Sequence, residues 1–291
     1  MIRIGTRASA LALAQAKLVA DRLPGDFELV PMKTAGDRPG AQGDKSRWVW
    51  GLEQALLEGE IDLAVHSAKD VPAQLATGLS LVAFLHRADP RDVICGASSL
   101  SALAPGASVG TSSLRRAAQI RAIRDDLGVV EIRGNVDTRL RKLSHGEVDA
   151  LVLARAGLER LGRSTEAGGV LDELVPAAGQ GALAVEARGA AVPTAVVEVL
   201  DDPSTATCVR AERELTRRLN ATCNTPVGAF AHPIAGTEIE LRGWVGLPDG
   251  SQWISDRLRG SPDDLGAQVA ERMLAAGARE ILRRAERELA A

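Results

Sequence analysis

Hydroxyl and guanidinium side chains are concentrated in one segment, Val109-Gly110-Thr111-Ser112-Ser113-Leu114-Arg115-Arg116. The segment has the pattern of a strand end, a short turn and the first turn of a helix, where free backbone N–H groups and the helix dipole attract anions. Arg115 and Arg116 add planar donors that suit carboxylates or phosphates. Taken alone, however, the pattern favours an ordinary helix with a serine cap and solvated arginines.

Similar turns elsewhere in the chain carry further cations and one acid. Arg7, Arg133 and Arg139 each lie in such a turn, and Asp70 follows another apolar strand. The pattern of a cationic turn at a strand end therefore does not stand alone in this chain.

The composition restricts the class of protein. The 291 residues suggest two or three domains, and the net charge of −3 argues against a protein whose main task is to bind nucleic acid. No apolar run is long enough to span a bilayer, and the first residues show no signal or transit pattern. The three cysteines are widely spaced, which is typical of a reducing cytosol and indicates neither a disulfide framework nor a zinc site.

The elements that must position these residues alternate between strands and helices over most of the chain. A first series is predicted, with strands at Ile2–Thr6, Phe27–Lys33, Ile61–Val65 and Leu79–Leu85, and helices at Ala8–Leu23 and Trp48–Leu57. Residues 34–47 are polar, contain glycine and lack an apolar period, so they are predicted to form a mobile loop. This order predicts a sheet rich in parallel strands.

A second series follows, with a strand ending at Val109, strands at Val129–Ile132 and Asp149–Ala154, and helices at Leu114–Asp126, Asn135–Ser144 and Arg155–Leu161. After the break at residues 176–181, a strand at Ala182–Ala187 is expected to return the chain to the first sheet. Two connections between two α/β lobes would make a hinged cleft, with strand ends and helix N-termini facing it.

From about Ser204 the pattern changes to that of an α+β domain. A long helix to Leu219 precedes strands at Val227–Ile234, Ile239–Val245 and Gln252–Leu258, and one final helix is predicted at Asp263–Leu289. The predicted domains are residues 1–87 with 178–200, residues 88–177, and residues 201–291.

Seven motifs, in order along the chain, resemble those of the hydroxymethylbilane synthase (porphobilinogen deaminase) family. They are Ile4-Gly5-Thr6-Arg7-Ala8-Ser9, Val65-His66-Ser67-Ala68-Lys69-Asp70-Val71-Pro72, Asp89-Pro90-Arg91-Asp92, the segment from Val109 to Arg116, Arg133-Gly134-Asn135-Val136-Asp137-Thr138-Arg139-Leu140, Ala178-Gly179-Gln180-Gly181-Ala182, and Cys223 with Pro226-Val227-Gly228. Each motif is weak alone, but together they cover nearly the whole chain.

The resemblance implies a transferase that joins four porphobilinogen molecules head to tail, releases ammonia at each step, and frees hydroxymethylbilane with water. It implies two lobes similar to periplasmic binding proteins with a small α+β domain. It also implies a dipyrromethane cofactor held by a thioether to Cys223. A cytoplasmic monomer that binds a small molecule, and neither nucleic acid nor membrane, is expected.

The growing product is a polyanion, since each pyrrole unit brings an acetate and a propionate, so many donors are needed. Asp70 is the predicted catalytic residue, because a carboxylate between two rings can stabilise positive charge and relay protons. The predicted cofactor-binding residues besides Cys223 are Lys69, Thr111, Ser113, Arg115 and Arg116. The predicted substrate-binding residues are Arg7, Ser9, Lys45, Arg133, Arg139 and Arg160.

Each of these assignments has an alternative in which the residue has only a structural role. Asp70 could cap a helix that begins at Val71-Pro72. Each arginine could instead form a surface salt bridge, and for Arg160 the salt bridge and the binding role have about even chances. A lone cysteine is usually a buried, inert thiol, and this explanation is applied to Cys95 and Cys208.

Two segments depart from the family pattern. Asp44-Lys45-Ser46-Arg47-Trp48-Val49-Trp50 replaces a glycine-containing loop in which a second lysine usually stands where Trp50 is found. Ala221-Thr222 replaces a glycine pair before Cys223. Two other functions therefore stay open: a hinged anion-binding module without catalysis, and a degenerate relative that has lost the chemistry.

Overall fold

The computed structural model describes residues 1–32, 46–189, 192–221 and 225–290. The strands are β1 Ile2–Arg7, β2 Phe27–Met32, β3 Leu63–Ser67, β4 Leu79–Phe84, β5 Asp92–Cys95, β6 Ser108–Gly110, β7 Gly128–Val130, β8 Ala150–Ala154, β9 Gly169–Leu171, β10 Leu183–Arg188, β11 Val227–Pro233, β12 Ile239–Gly246 and β13 Trp253–Gly260. The helices are α1 Ala10–Ala20, α2 Ser46–Glu58, α3 Leu114–Ile123, α4 Val136–Ser144, α5 Arg155–Arg160, α6 Thr194–Leu200, α7 Pro203–Arg218, α8 Pro262–Ala275 and α9 Ala278–Ala290.

The first sheet has the strand order β2-β1-β3-β10-β4. Strand β1 is parallel to β2 and β3, whereas β10 is antiparallel to β3 and β4. The prediction that the strand after residues 176–181 returns to the first sheet is therefore confirmed. Helix α1 starts where Ser9 accepts a hydrogen bond from the Ala12 backbone, as an N-cap does.

The second sheet has the order β7-β6-β8-β5-β9. Strands β7, β6 and β8 run parallel, and β5 is antiparallel to both β8 and β9. Both sheets are thus mixed. The prediction that the first sheet is rich in parallel strands holds for the pairs of β1 and was wrong for the two pairs that β10 forms. The short strands β5 and β9 were not predicted, because strands of three or four residues show little periodicity.

The third sheet is the antiparallel meander β11-β12-β13, packed against α7 and α8. The predicted final helix is in fact two helices, α8 and α9. The chain turns at Gly277, whose φ of 104° lies in the left-handed region that ends helices and that glycine adopts at no steric cost. The α/β fold with a small C-terminal α+β unit is confirmed, while the domain boundaries and the hinge stay predictions.

A buried ion pair joins the C-terminal unit to the first sheet. Glu212 on α7 is fully buried and binds Arg87 through two hydrogen bonds of 2.6 and 3.2 Å. Its carboxylate also accepts from the backbone N–H groups of Gly179 and Ala231, each at 2.7 Å. One side chain therefore ties together α7, β11 and the turn at Gly179.

Within the described ranges, no helix is both long and apolar enough to cross a membrane.

Candidate active site

A cavity of about 60 Å³ lies where the first sheet ends. Its polar lining comes from β1, α1 and the end of β3, and comprises Arg7, Ser9, Gln15, His66, Ser67 and Asp70. Gln15 donates to the Ser67 hydroxyl at 2.8 Å, which fixes both side chains at the wall. Three of the predicted residues, Arg7, Ser9 and Asp70, are thus brought together.

Lys69 and Asp70 lie in a short 3-10 turn directly after β3. Gly179 packs against this turn: a Cβ there would lie 2.9 Å from the Ala68 carbonyl carbon and 3.0 Å from the Lys69 nitrogen. Gly179 also has a φ of +73°, so glycine is required on both counts. No helix follows Asp70 over residues 71–78, so the capping alternative for Asp70 was wrong.

Arg139 on α4, a helix that accompanies the second sheet, lies near Asp70. Its partial enclosure lowers the pKa to about 10, the charge of Arg116 acts in the same direction, and the carboxylate of Asp70 opposes both. Arg139 therefore stays cationic at neutral pH and lies close enough to Asp70 to sense its charge. Its Nε donates to the Gly134 carbonyl at 2.7 Å.

Arg115 and Arg116 are buried at the start of α3, where both contact one carboxylate. Asp92 on β5 lies 2.8 Å from the Nη2 of each arginine. Burial alone would raise the pKa of Asp92, but the two guanidinium groups outweigh burial and hold that pKa well below its usual range. The alternative in which Arg115 and Arg116 are solvated was wrong, and the role of these arginines in cofactor binding stays a prediction.

Gln180 connects this buried group to the turn beside Asp70. Its amide nitrogen donates to Asp92 at 2.9 Å and to the Pro90 carbonyl at 2.6 Å. The charge of Lys69 also acts on Asp92, so Lys69 lies near the same group. The Nε of Arg115 is buried and has no hydrogen-bond partner among the described residues, which leaves one donor to be satisfied.

The other predicted site residues lie in different environments. Arg160 is enclosed, which lowers its pKa to about 10, and donates to the Gly181 carbonyl at 2.6 Å. Arg133 forms an exposed ion pair with Glu131 at 2.7 Å. Ser113 is the N-cap of α3, and Thr111 accepts from the Ser113 backbone at 3.2 Å.

The two remaining calls, Lys45 and Cys223, lie outside the described residues, as does most of the predicted loop at 34–47. The other two cysteines are buried thiols. Burial raises the pKa of Cys95 to about 11 and that of Cys208 to about 11, so both are protonated at neutral pH. Their assignment as structural residues agrees with this environment.

Sequence reasoning did not assign a role to Asp92, Gln180, Glu212 or Glu186. A signal existed for some of them: Asp92 opens the apolar run Asp92–Cys95, and Glu186 interrupts the apolar strand at Leu183–Arg188. A charged residue in such a run is rarely buried without a partner, so it marks a buried pair.

The described geometry defines an α/β protein in which two carboxylates, Asp70 and Asp92, lie among several arginines. Two family models match the chain: the dipyrromethane cofactor binding domain of porphobilinogen deaminase over residues 2–194, and the C-terminal domain of porphobilinogen deaminase over residues 206–275. The chain belongs to the porphobilinogen deaminase family.

Curated relatives agree over nearly full length. Porphobilinogen deaminase of Brevibacillus brevis is 44% identical, with 98% of each chain covered. That of Pelobacter propionicus is 45% identical, over 97% of this chain and 96% of the relative. Among solved structures, the methionine-binding protein MetQ shows 18% identity and a TM-score of 0.42, covering 68% of this chain and 87% of MetQ.

These matches confirm the family that the seven motifs indicated, and with it the transferase class and the dipyrromethane cofactor. The donor set fits that cofactor, because the arginines offer guanidinium N–H groups to its acidic side chains. A guanidinium has five N–H donors, and backbone carbonyls are the hydrogen-bond acceptors that the described residues supply to Arg139 and Arg160. Donors of both residues therefore remain for a carboxylate ligand.

Proposed function

We propose that the chain condenses four porphobilinogen molecules head to tail on a covalently held dipyrromethane, releasing ammonia at each step and then hydroxymethylbilane by hydrolysis. The observation that carries this proposal is the position of Arg139, on which the charges of both Asp70 after β3 and Arg116 on α3 act. When bound through Cys223, the cofactor supplies the pyrrole carbon to which the first substrate unit is joined.

The arginines hold the carboxylates of the growing chain. Arg139 and Arg160 are enclosed cations, and an enclosed charge gains more from a carboxylate partner than a solvated one. Arg7 adds a cation at the cavity wall, and Ser9 lies beside it. Arg133 and Lys45 are also proposed to bind substrate carboxylates.

Asp70 stabilises positive charge and accepts a proton at the reacting ring. A carboxylate stabilises the positive charge that develops when ammonia leaves, and it accepts the proton that the attacking ring loses. Lys69 precedes Asp70 in the same turn and, with Thr111, Ser113, Arg115 and Arg116, is proposed to hold the cofactor.

The direct test is intact-protein mass spectrometry with and without porphobilinogen, paired with an ammonia assay. We expect the purified protein to exceed its sequence mass by a two-pyrrole adduct located on Cys223, and to gain single pyrrole units with substrate. Binding of porphobilinogen without ammonia release would favour an anion-binding module, and a primed protein without turnover would favour a degenerate relative.

Thiol labelling gives an independent prediction. At pH 8 an alkylating reagent should leave Cys95 and Cys208 unmodified in the native protein, because burial and a pKa raised to about 11 keep both thiols protonated. The cofactor-loaded protein should therefore take up no label. Protein prepared without cofactor should take up one label, on Cys223, and label on Cys95 or Cys208 in a peptide map would contradict this assignment.

Replacing Arg139 by glutamine should raise the KM for porphobilinogen about tenfold, because one charge-assisted hydrogen bond to a carboxylate is lost. The matched control is Arg141→Gln on the same helix, which removes an equal charge from an exposed position. Steady-state kinetics of both variants check the prediction. Equal KM values for the two variants would show that Arg139 does not contact substrate.

We also propose that the chain works as a cytoplasmic monomer that binds neither nucleic acid nor membrane. A net charge of −3 supports the absence of a nucleic-acid partner. Light scattering should give a mass close to the 30.5 kDa of one chain, and a dimer mass would contradict the proposal.

A further inference from the structure

A buried pair of ionisable side chains has one member, His66, in the wall of the cavity that Asp70 also lines. His66 on β3 and Glu186 on β10 are joined by a contact of 2.9 Å between Nε2 and Oε2. Their side chains are 4% and 0% exposed, so water does not screen the pair. The antiparallel register pairs Ala184 with His66 and Glu186 with Ala64, which places the two side chains as diagonal neighbours on one face of the sheet.

The pair is connected to the site through the cavity itself. His66 and Asp70 both line it, together with the Ser67 hydroxyl. At about 60 Å³ the cavity has room for about two water molecules, and its polar side chains can hold them. The contact with Glu186 occupies Nε2, so Nδ1 is the ring nitrogen left for proton exchange.

Burying such a pair contributes little net stability to a core, because charged groups lose their hydration there. The Oε1 atom of Glu186 has no hydrogen-bond partner among the described residues, which adds to that cost. A buried carboxylate with one oxygen lacking a partner among the described residues, bound to a histidine that lines the cavity with Asp70, indicates a function in proton transfer.

Resting on the proposed function, we propose that His66, oriented by Glu186, accepts the proton that Asp70 takes from the attacking pyrrole ring. The ring's C–H bond breaks, its electron pair restores the aromatic ring, and the proton passes to Asp70. Water in the cavity carries it from Asp70 to His66, and from there it leaves to solvent. Ammonia has left earlier with the electron pair of the C–N bond, and the carbon of the attacking ring has formed the new C–C bond to the methylene that ammonia left. Asp70 is an anion again before the next unit arrives, because His66 has taken its proton.

Other charges act on the pair from several elements. The charged groups near it among the described residues include Glu53 on α2 and Arg213 on α7, which interact with the charge of the pair. They also include Arg7 on β1 and Asp70 after β3, which line the cavity with His66. Burial raises the pKa of Glu53, with Glu186 adding to the rise and His66 opposing it. Arg213 donates to the Val71 and Pro72 carbonyls and senses the charge of Glu186. These neighbours are present in every variant below.

The test is His66→Gln, with His86→Gln as the matched control. His86 forms an ion pair with Asp202 but is 81% exposed, far more than His66. We expect His66→Gln to lower kcat about 100-fold with KM changed less than about threefold, since positioned proton transfer contributes at least that much. The pH dependence of its kcat should also differ from that of the wild type, because one proton acceptor has been removed.

A structural role for His66 would be shown by kcat within about threefold of the His86→Gln value at every pH, and that result overturns the proposal. Thermal unfolding and the primer mass on Cys223 are measured for each variant. If His66→Gln fails to fold or to carry primer, Glu186→Gln decides the question.

Glu186→Gln keeps the histidine and the shape but removes the negative partner. Its kcat should fall and the pH dependence of kcat should differ from that of the wild type, because the imidazole has lost its negative partner. An unchanged profile overturns the proposal. A wild-type protein without primer or turnover would instead refute the proposed function, so the two failures are distinguishable.

Discussion

Replacing Asp70 by asparagine should lower kcat about 1000-fold while the fold and the bound primer persist. Asparagine has nearly the same shape but carries no charge and accepts no proton at neutral pH. The positive charge at the reacting carbon is then no longer stabilised, and the proton of the attacking ring has no acceptor. Chain elongation should therefore stall at the first step that needs either function.

The measurement combines steady-state ammonia release with intact mass. The variant should carry the two-pyrrole primer yet accumulate few or no added units after minutes with substrate. Asp70→Glu, which restores a carboxylate one methylene away, should recover part of the rate, with a loss of about 10- to 100-fold from misplacement.

Asp172→Asn is the matched control for this substitution. Asp172 forms an exposed ion pair with Arg91 at 3.2 Å, and its side chain is 73% exposed. The control should keep wild-type kcat and unfolding temperature, since such pairs contribute little. Full activity of Asp70→Asn would remove the carboxylate from the mechanism.

Long periodic segments were predictable from the sequence, and short or context-dependent ones were not. Strands β1 and β8 and helix α7 fall within a few residues of their predicted bounds, because their apolar patterns are strong. The end of α8 was missed, because a single glycine in a long amphipathic pattern does not by itself end a helix.

The candidate site was predictable in its residue types but not in its internal pairing. Arg115 and Arg116 were expected to face a ligand, and the structure shows them against Asp92. Asp92 comes from a short strand that joins the second sheet in antiparallel orientation, and local periodicity does not report such a placement. Charge pairs between distant segments depend on tertiary topology, so no local pattern reveals them.

This pairing leads to the largest expected effect on stability. Replacing Asp92 by asparagine should lower the free energy of unfolding at pH 7 by about 3–5 kcal/mol, because two buried guanidinium groups lose their counter-charge. Asp92 is fully buried and lies 2.8 Å from both arginines, so water cannot replace it. Urea unfolding followed by circular dichroism measures the change. Asp126→Asn, at an exposed pair with Arg124, should change stability by less than about 1 kcal/mol.

The effect of Asp92→Asn should depend on pH with a defined sign. The arginines hold the pKa of Asp92 in the folded protein below its unfolded value of about 3.9. Stability from this carboxylate is therefore fully present above the unfolded pKa and is lost as pH falls toward the folded pKa. The gap between wild type and Asp92→Asn should thus be constant from pH 7 to about 5 and should narrow below about pH 4. A gap that stays constant at pH 3, or widens there, would mean that lost packing and not lost charge destabilises the variant.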